Sequence, residues 1–195
     1  VSRSNVSYHH GNLAVALEEA ALALLVEEGS SALSLRAVAR RAGVSHNAPY
    51  HHFGDRQGLL KSVAARGLRD LLAAMVTARD STSSPKQRLL AASFAYVDFA
   101  SENRPLFELI FDPEICNPKE PNPVTGPLIE ANDEFLAETV RAALPQETAE
   151  TDVRTTAAAL WGAVHGLAVL VSTQHLDASV VRPGLESLLE LRFLE

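Results

Sequence analysis

The 195-residue chain is 47% hydrophobic, enough for a substantial core, and has a formal net charge of −7. A single cysteine, Cys116, excludes an intrachain disulfide and points to a reducing, intracellular compartment. No apolar run approaches the roughly 20 residues that span a bilayer, and the polar opening VSRSNVSYHHGN has no signal-peptide core, so a soluble, cytoplasmic protein is expected.

Charge is distributed unevenly. Residues 1–80 hold nine Lys/Arg and seven Asp/Glu, whereas residues 81–195 hold eight and seventeen. A basic head joined to an acidic body is expected, with domains at 1–80 and 81–195, and a polyanion would attract one and repel the other. Residues 1–10 read as a flexible arm whose Arg3, Tyr8, His9 and His10 could reach a phosphate or a minor groove. Plain disorder is the simpler reading. His9 and His10 have no further ligand nearby, so metal is not expected.

The first helix is predicted over about 12–28, with Leu13, Leu17, Ala20 and Leu24 as its buried stripe. Ser34 is a good N-cap for a second helix. Leu35, Val38, Ala39 and Ala42 share one face of it, leaving Arg36, Arg40 and Arg41 largely outside. Gly43 is placed to end that helix in the left-handed conformation. Ser45 can cap a third helix over about 46–52, and Gly54-Asp55 breaks it, with Asp55 capping a fourth over about 55–78. Two short helices joined by a glycine turn are the pattern of a helix-turn-helix, whose second helix lies in the DNA major groove. Between Ser34 and Lys61 the basic residues are Arg36, Arg40, Arg41, Arg56 and Lys61, and the single acidic residue is Asp55. Such a patch neutralises phosphates without regard to sequence.

Ser81 to Ser84 read as a loop, and Ser84 with Gln87 forms a capping-box pattern with Pro85 at the first helical position. The helix from Pro85 to about Ser101 carries Leu89, Leu90, Phe94, Tyr96, Val97 and Phe99 on several sides, so it is expected to be central. A short apolar helix follows over 106–111. Four phenylalanines fall within this stretch, Phe94, Phe99, Phe107 and Phe111. They read either as ordinary core packing or as the wall of a ligand cavity. Residues 112–127 are a proline-rich loop containing Cys116. Helices are predicted over about 128–144 and 152–173, and a last one from near Pro183 with Leu185, Leu188, Leu189 and Phe193. The last two carry more apolar surface than one small body needs, so they are expected to pair with a second copy as a four-helix interface. Trp161 and His165 share a face, with His165 either a core histidine or a polar group inside the cavity. There is no phosphate loop, nucleophile elbow, reactive-cysteine motif or metal-ligand cluster in the sequence, so an enzyme and a cofactor are not expected.

The segments YHHGNL (8–13), LSLRAVARRAGVSHNAPYHHF (33–53) and DRQGLL (55–60) resemble the TetR family of bacterial transcriptional regulators. WGAVHGLAVL (161–170) is similar to the C-terminal signature of one TetR subgroup. The resemblance implies an all-α fold: an N-terminal helix-turn-helix domain and a fourth helix leading to a C-terminal helical domain for ligand binding and dimerisation. It also implies roles by position. Arg36 contacts DNA, His46, Asn47 and Pro49 read bases, Tyr50 and His52 hold the backbone, and Arg56 stands where a phosphate-binding lysine is usual. With Ser45 and His51 these complete the expected DNA-binding set. The family places an aliphatic residue where Pro49 stands and a better helix former where Gly58 stands. The expected effector is a small apolar or amphipathic molecule among Phe94, Phe99, Phe107, Phe111, Trp161 and His165. The expected activity is that of a ligand-responsive repressor binding palindromic operator DNA as a homodimer. The alternative is an architectural DNA-binding protein without ligand control.

Overall fold

The computed structural model describes residues 9–192, which form helices and turns without a strand. The helices are α1 (His9–Glu28), α2 (Leu35–Ala42), α3 (Ala48–Phe53), α4 (Arg56–Asp80), α5 (Pro85–Glu102), α6 (Arg104–Ile110), α7 (Gly126–Ala143), α8 (Glu150–Ser172) and α9 (Val181–Arg192). Short 3-10 turns occupy Ser30–Ala32 and Ala178–Val180. Arg3 and Tyr8 of the expected arm, and Phe193 of the last helix, lie outside the described residues. At His9 and His10 the backbone is already helical.

The capping chemistry sets most boundaries where the sequence places them. Ser34 Oγ accepts from the Ala37 amide at 3.1 Å, and Gly43, at φ 67°, closes α2 by donating to the Ala39 and Arg40 carbonyls. Ser84 Oγ accepts from the Gln87 amide at 3.2 Å ahead of α5. The start of α3 is later than expected. Ser45 Oγ accepts from the Asn47 amide at 3.4 Å and the Ala48 amide donates to the Ser45 carbonyl at 3.0 Å. Residues 45–47 are thereby spent in a turn, and helix begins at Ala48.

The chain divides into two compact units. One comprises the chain up to Gly67 together with Pro105–Pro127. Leu17, Ala21 and Leu25 of α1, Val38 of α2, Pro49 of α3 and Leu59 and Val63 of α4 are buried within it. So are Leu106, Phe107, Leu109 and Ile110 of α6. The proline-rich stretch is a loop, as expected, but an organised one. Asn122 Oδ1 accepts from the amides of Val124 and Thr125, both at 3.0 Å. Its Nδ2 donates to the Ile115 carbonyl at 3.1 Å and to Thr125 Oγ1 at 2.7 Å. One side chain so ties Ile115 to Thr125, both buried.

The other unit comprises Leu68–Arg104 and the chain from Leu128 onward. Here α8 lies along α5, and α9 also packs on α5. Asn132 of α7 donates to the Leu68 carbonyl of α4 at 3.3 Å and to its own helix at Leu128. Farther along the same pair of helices the Arg79 guanidinium sits 4.8 Å from the centre of the Phe135 ring. By length and composition α8 is apolar enough to cross a bilayer, the one such helix among the described residues. Its apolar side chains are divided between a buried set, Val153, Ala157, Leu160, Val164 and Ala168, and an exposed set, Trp161, Val169 and Leu170.

Candidate nucleic-acid interface

Between Gly29 and Gly54 the sequence contains no Asp or Glu. The structure turns most of the polar side chains of this stretch outward. Arg36 and Arg40 on α2, Ser45, His46 and Asn47 in the turn, and Tyr50, His51 and His52 on α3 are exposed. Tyr50 keeps 46% of its surface open to solvent. A six-residue helix cannot stand alone in water, so α3 depends on its neighbours. Its apolar anchor is Pro49, which is fully buried. Proline is well suited to the first turn because the missing N–H has no helical partner there. Pro49 was expected among the base-reading residues; in the structure its side chain is buried. Its ring faces the interior of the head and holds α3 in place, while His46, Asn47 and Tyr50 face outward.

Two of the basic residues are engaged by the protein itself. Arg41 makes a bidentate ion pair with Glu27 at the end of α1, one arm being Nη2 to Oε1 at 2.6 Å. The hydrogen bonds from Arg41 hold the Glu27 carboxyl below its ordinary range. Arg56 donates from Nε to the Leu33 carbonyl at 2.9 Å and from Nη2 to the Ser30 carbonyl at 2.8 Å. Of the four arginines in the patch, Arg36 and Arg40 therefore present exposed side chains that carry none of these clamps.

The corner between α3 and α4 is unusually close. Gly54 adopts φ 77°, and Asp55 Oδ1 accepts from the Gly58 amide at 2.7 Å, as expected of a cap. A Cβ on Gly58 would lie 2.0 Å from the Phe53 carbonyl oxygen. The sequence showed Gly58 only as a departure from the usual residue; the close approach of two backbones explains it.

The six aromatic and histidine residues expected to line one cavity do not all fall in one unit. Phe94, Phe99, Trp161 and His165 belong to the second unit, and Phe107 and Phe111 to the first. Phe107 and Phe111 touch each other, with ring centroids 4.9 Å apart. Phe94 carries the Arg182 guanidinium 4.0 Å above its ring. Trp161 is 45% exposed, yet its Nε1 donates to the hydroxyl of Tyr96 at 3.4 Å. That hydroxyl also lies 2.8 Å from His165 Nδ1. Burial raises the Tyr96 phenol well above its ordinary value and lowers His165 below its own. Tyr96 was read from sequence as core alone; no sequence spacing links α5 to α8, so its bond to His165 was out of reach. Cys116 is buried, and burial raises its thiol, against a hydrogen bond with Thr125 that pulls the other way.

The sequence matches two family profiles, "Bacterial regulatory proteins, tetR family" over residues 17–63 and "Tetracyclin repressor-like, C-terminal domain" over residues 89–191. It is 37% identical over 93 residues to the HTH-type transcriptional regulator BetI of Burkholderia thailandensis, which is 47% of this chain and 48% of BetI. It is 32% identical over 102 residues to the HTH-type transcriptional activator FasR of Mycolicibacterium smegmatis, 52% of this chain and 45% of FasR. The chain thus spans about half the length of these relatives. A solved structure from Rhodococcus sp. RHA1, of a protein with unknown function, is similar at a TM-score of 0.73 and 31% identity, covering 94% of this chain and 96% of that one. With a helix-turn-helix on a segment free of Asp and Glu and the C-terminal profile covering more than half its length, the chain belongs to the TetR family of bacterial transcriptional regulators.

Proposed function

We propose that the chain is a ligand-responsive repressor that binds palindromic operator DNA as a homodimer and releases it when a small molecule occupies the second unit. The observation that carries this reading is the exposed α2–α3 face. There Arg36 and Arg40 supply cationic contacts, and His46, Asn47 and Tyr50 present donors, acceptors and a ring within a segment that has no Asp or Glu. Dimerisation is supported by the apolar residues left open on the last two helices and the turn between them, Trp161, Val169, Leu170, Val180 and Leu188. Two such surfaces facing each other would make the four-helix contact that a two-fold operator requires. The pair of buried Tyr96 and half-buried His165, with aromatic neighbours, supports an apolar or amphipathic effector carrying one polar group. The site of action is the cytoplasm, where DNA is.

Release works as a population shift: ligand favours a dimer whose heads no longer match successive major grooves, about 34–36 Å apart. Repression is the simpler direction, because occluding a promoter needs only operator affinity, whereas activation also needs a surface for the transcription machinery. The test is selection of bound duplexes from a random pool. A palindrome is expected; equal retention of all sequences at physiological salt would favour an architectural protein instead. In the same assay Tyr50→Ala is expected to weaken binding to the selected duplex while the dimer persists in solution.

A further inference from the structure

We propose that the α3–α4 corner sets the presentation of the reading helix, with Arg56 and Gly58 acting as positioning residues for DNA recognition and Arg56 not acting as a phosphate contact. The proposal rests on the DNA-reading role of the exposed α2–α3 face. It goes further by giving the aim of α3 a structural cause.

Three observations converge on the corner. First, Phe53, the last residue of α3, points its carbonyl at the position that a side chain on Gly58 would occupy, 2.0 Å from an ideal Cβ and 3.1 Å for the carbonyl carbon. Both neighbouring atoms are backbone, so no rotamer change makes room. Any larger residue must move the end of α3 or the start of α4. The same carbonyl accepts from the amide of Asp55, the residue that caps α4, at 3.0 Å, beside a helix start whose unpaired amides create a partly positive environment.

Second, Arg56 is the first residue of α4, a position where a cation opposes the helix dipole. The guanidinium turns back instead and donates to Ser30 and Leu33. Ser30 opens the 3-10 turn between α1 and α2 and Leu33 caps its end. The planar fork of arginine can span two acceptors in this way, and the single ammonium of lysine cannot reproduce it. The start of α4 is thus fastened to the link that precedes the Ser34 cap. Third, α3 is held at its other end by buried Pro49. A six-residue helix fixed at both ends has one way to face a groove.

The roles separate by salt dependence. Losing a phosphate contact weakens binding and lowers the magnitude of the slope of log affinity against log salt by about one. Losing a positioning residue weakens binding and leaves the slope alone. The probe is the duplex enriched by selection with the unmodified full chain, so an empty selection refutes the DNA-reading role itself and not the corner. With that duplex, Arg56→Gln and Arg56→Lys are both expected to bind roughly tenfold or more weakly, about the loss of one good base contact, with the slope unchanged. Gly58→Ala is expected to lose affinity similarly and to enrich a different sequence in a repeated selection. Wild-type affinity in Arg56→Lys, a slope reduced by about one in Arg56→Gln, or unchanged affinity and preference in folded Gly58→Ala would each overturn the proposal. Should Gly58→Ala not fold, the two Arg56 variants decide alone.

Discussion

Gly67 offers a direct measure of how tightly α6 is held. It lies in α4, and a Cβ built there would fall 2.8 Å from Ile110 Cγ2 and from Leu106 Cδ1, and 2.9 Å from Leu106 Cγ. Carbon atoms in contact rest at about 3.5–4.0 Å, so the added methyl of Gly67→Ala must displace two side chains of α6 by roughly 1 Å. Overpacking on this scale costs about 1–3 kcal/mol. Replacing glycine within a helix returns about 1 kcal/mol of propensity, which leaves the single variant destabilised by roughly 0–2 kcal/mol. That range is too broad to be decisive, so the informative experiment is a cycle. Leu106 is 5% exposed, and Leu106→Ala alone should cost about 2–5 kcal/mol. In the double variant the methyl enters space that Leu106 has vacated. Ile110 must still give way, so the two changes together should cost less than their sum by a part, about 1–2 kcal/mol, of the overpacking term. Urea unfolding followed by circular dichroism, at one fixed protein concentration, reads each corner of the cycle. Additivity to within about 0.5 kcal/mol would falsify the packing of α6 on Gly67.

Other consequences are simpler to read. Ser34→Ala removes the side-chain acceptor for the Ala37 amide and should cost about 1 kcal/mol, seen as a lower urea midpoint; an unchanged midpoint would mean the cap contributes nothing. Tyr96→Phe deletes the hydroxyl that joins His165 and Trp161 and should cost about 1 kcal/mol. Because the chain has one tryptophan, the same change should alter its emission, and identical spectra would count against the contact. Burial holds His165 below its ordinary value of 6.5. The unfolded chain therefore takes up a proton first as pH falls, and stability should decline from about 6.5 down through the folded value. His165→Gln should flatten that decline in paired urea titrations, and an equally steep decline would assign it to other groups. Cys116, buried and with its thiol raised, should react slowly with a disulfide reagent in the native state and rapidly in urea; rapid native labelling would refute its burial.

Local chemistry was legible in the sequence and distant contact was not. Ser34, Gly43, Asp55 and Ser84 each act within four residues, and each does in the structure what its side chain or its freedom at φ allows. The all-helical character and the outward face of α2 follow from the same short-range spacing. Pro49 shows a burial that short-range spacing does not reveal. Its position in a family pattern suggested a base contact, but a proline ring has no donor, and its apolar surface is buried. Gly58 looked like a weakness in α4, because nothing in the sequence reveals that the Phe53 carbonyl fills the space beside it. Arg41 and Arg56 were counted as open charges; their partners Glu27, Ser30 and Leu33 are 14 to 26 residues away. The four phenylalanines between positions 94 and 111 suggested one cavity by proximity alone. The turn at Asn103, where α5 ends, lets Phe107 and Phe111 join a different unit.

The return of Pro105–Pro127 to the unit that contains α1, α2 and α3 bears on any attempt at dissection. A fragment cut after Asp80 keeps the whole reading apparatus but strips Leu106 and Ile110 from the flank of Gly67. What looks on paper like a self-sufficient module would be missing a piece of its own interior. Clumping or poor yield from such a truncate would report a bare greasy seam rather than a flaw in the parts that face the double helix.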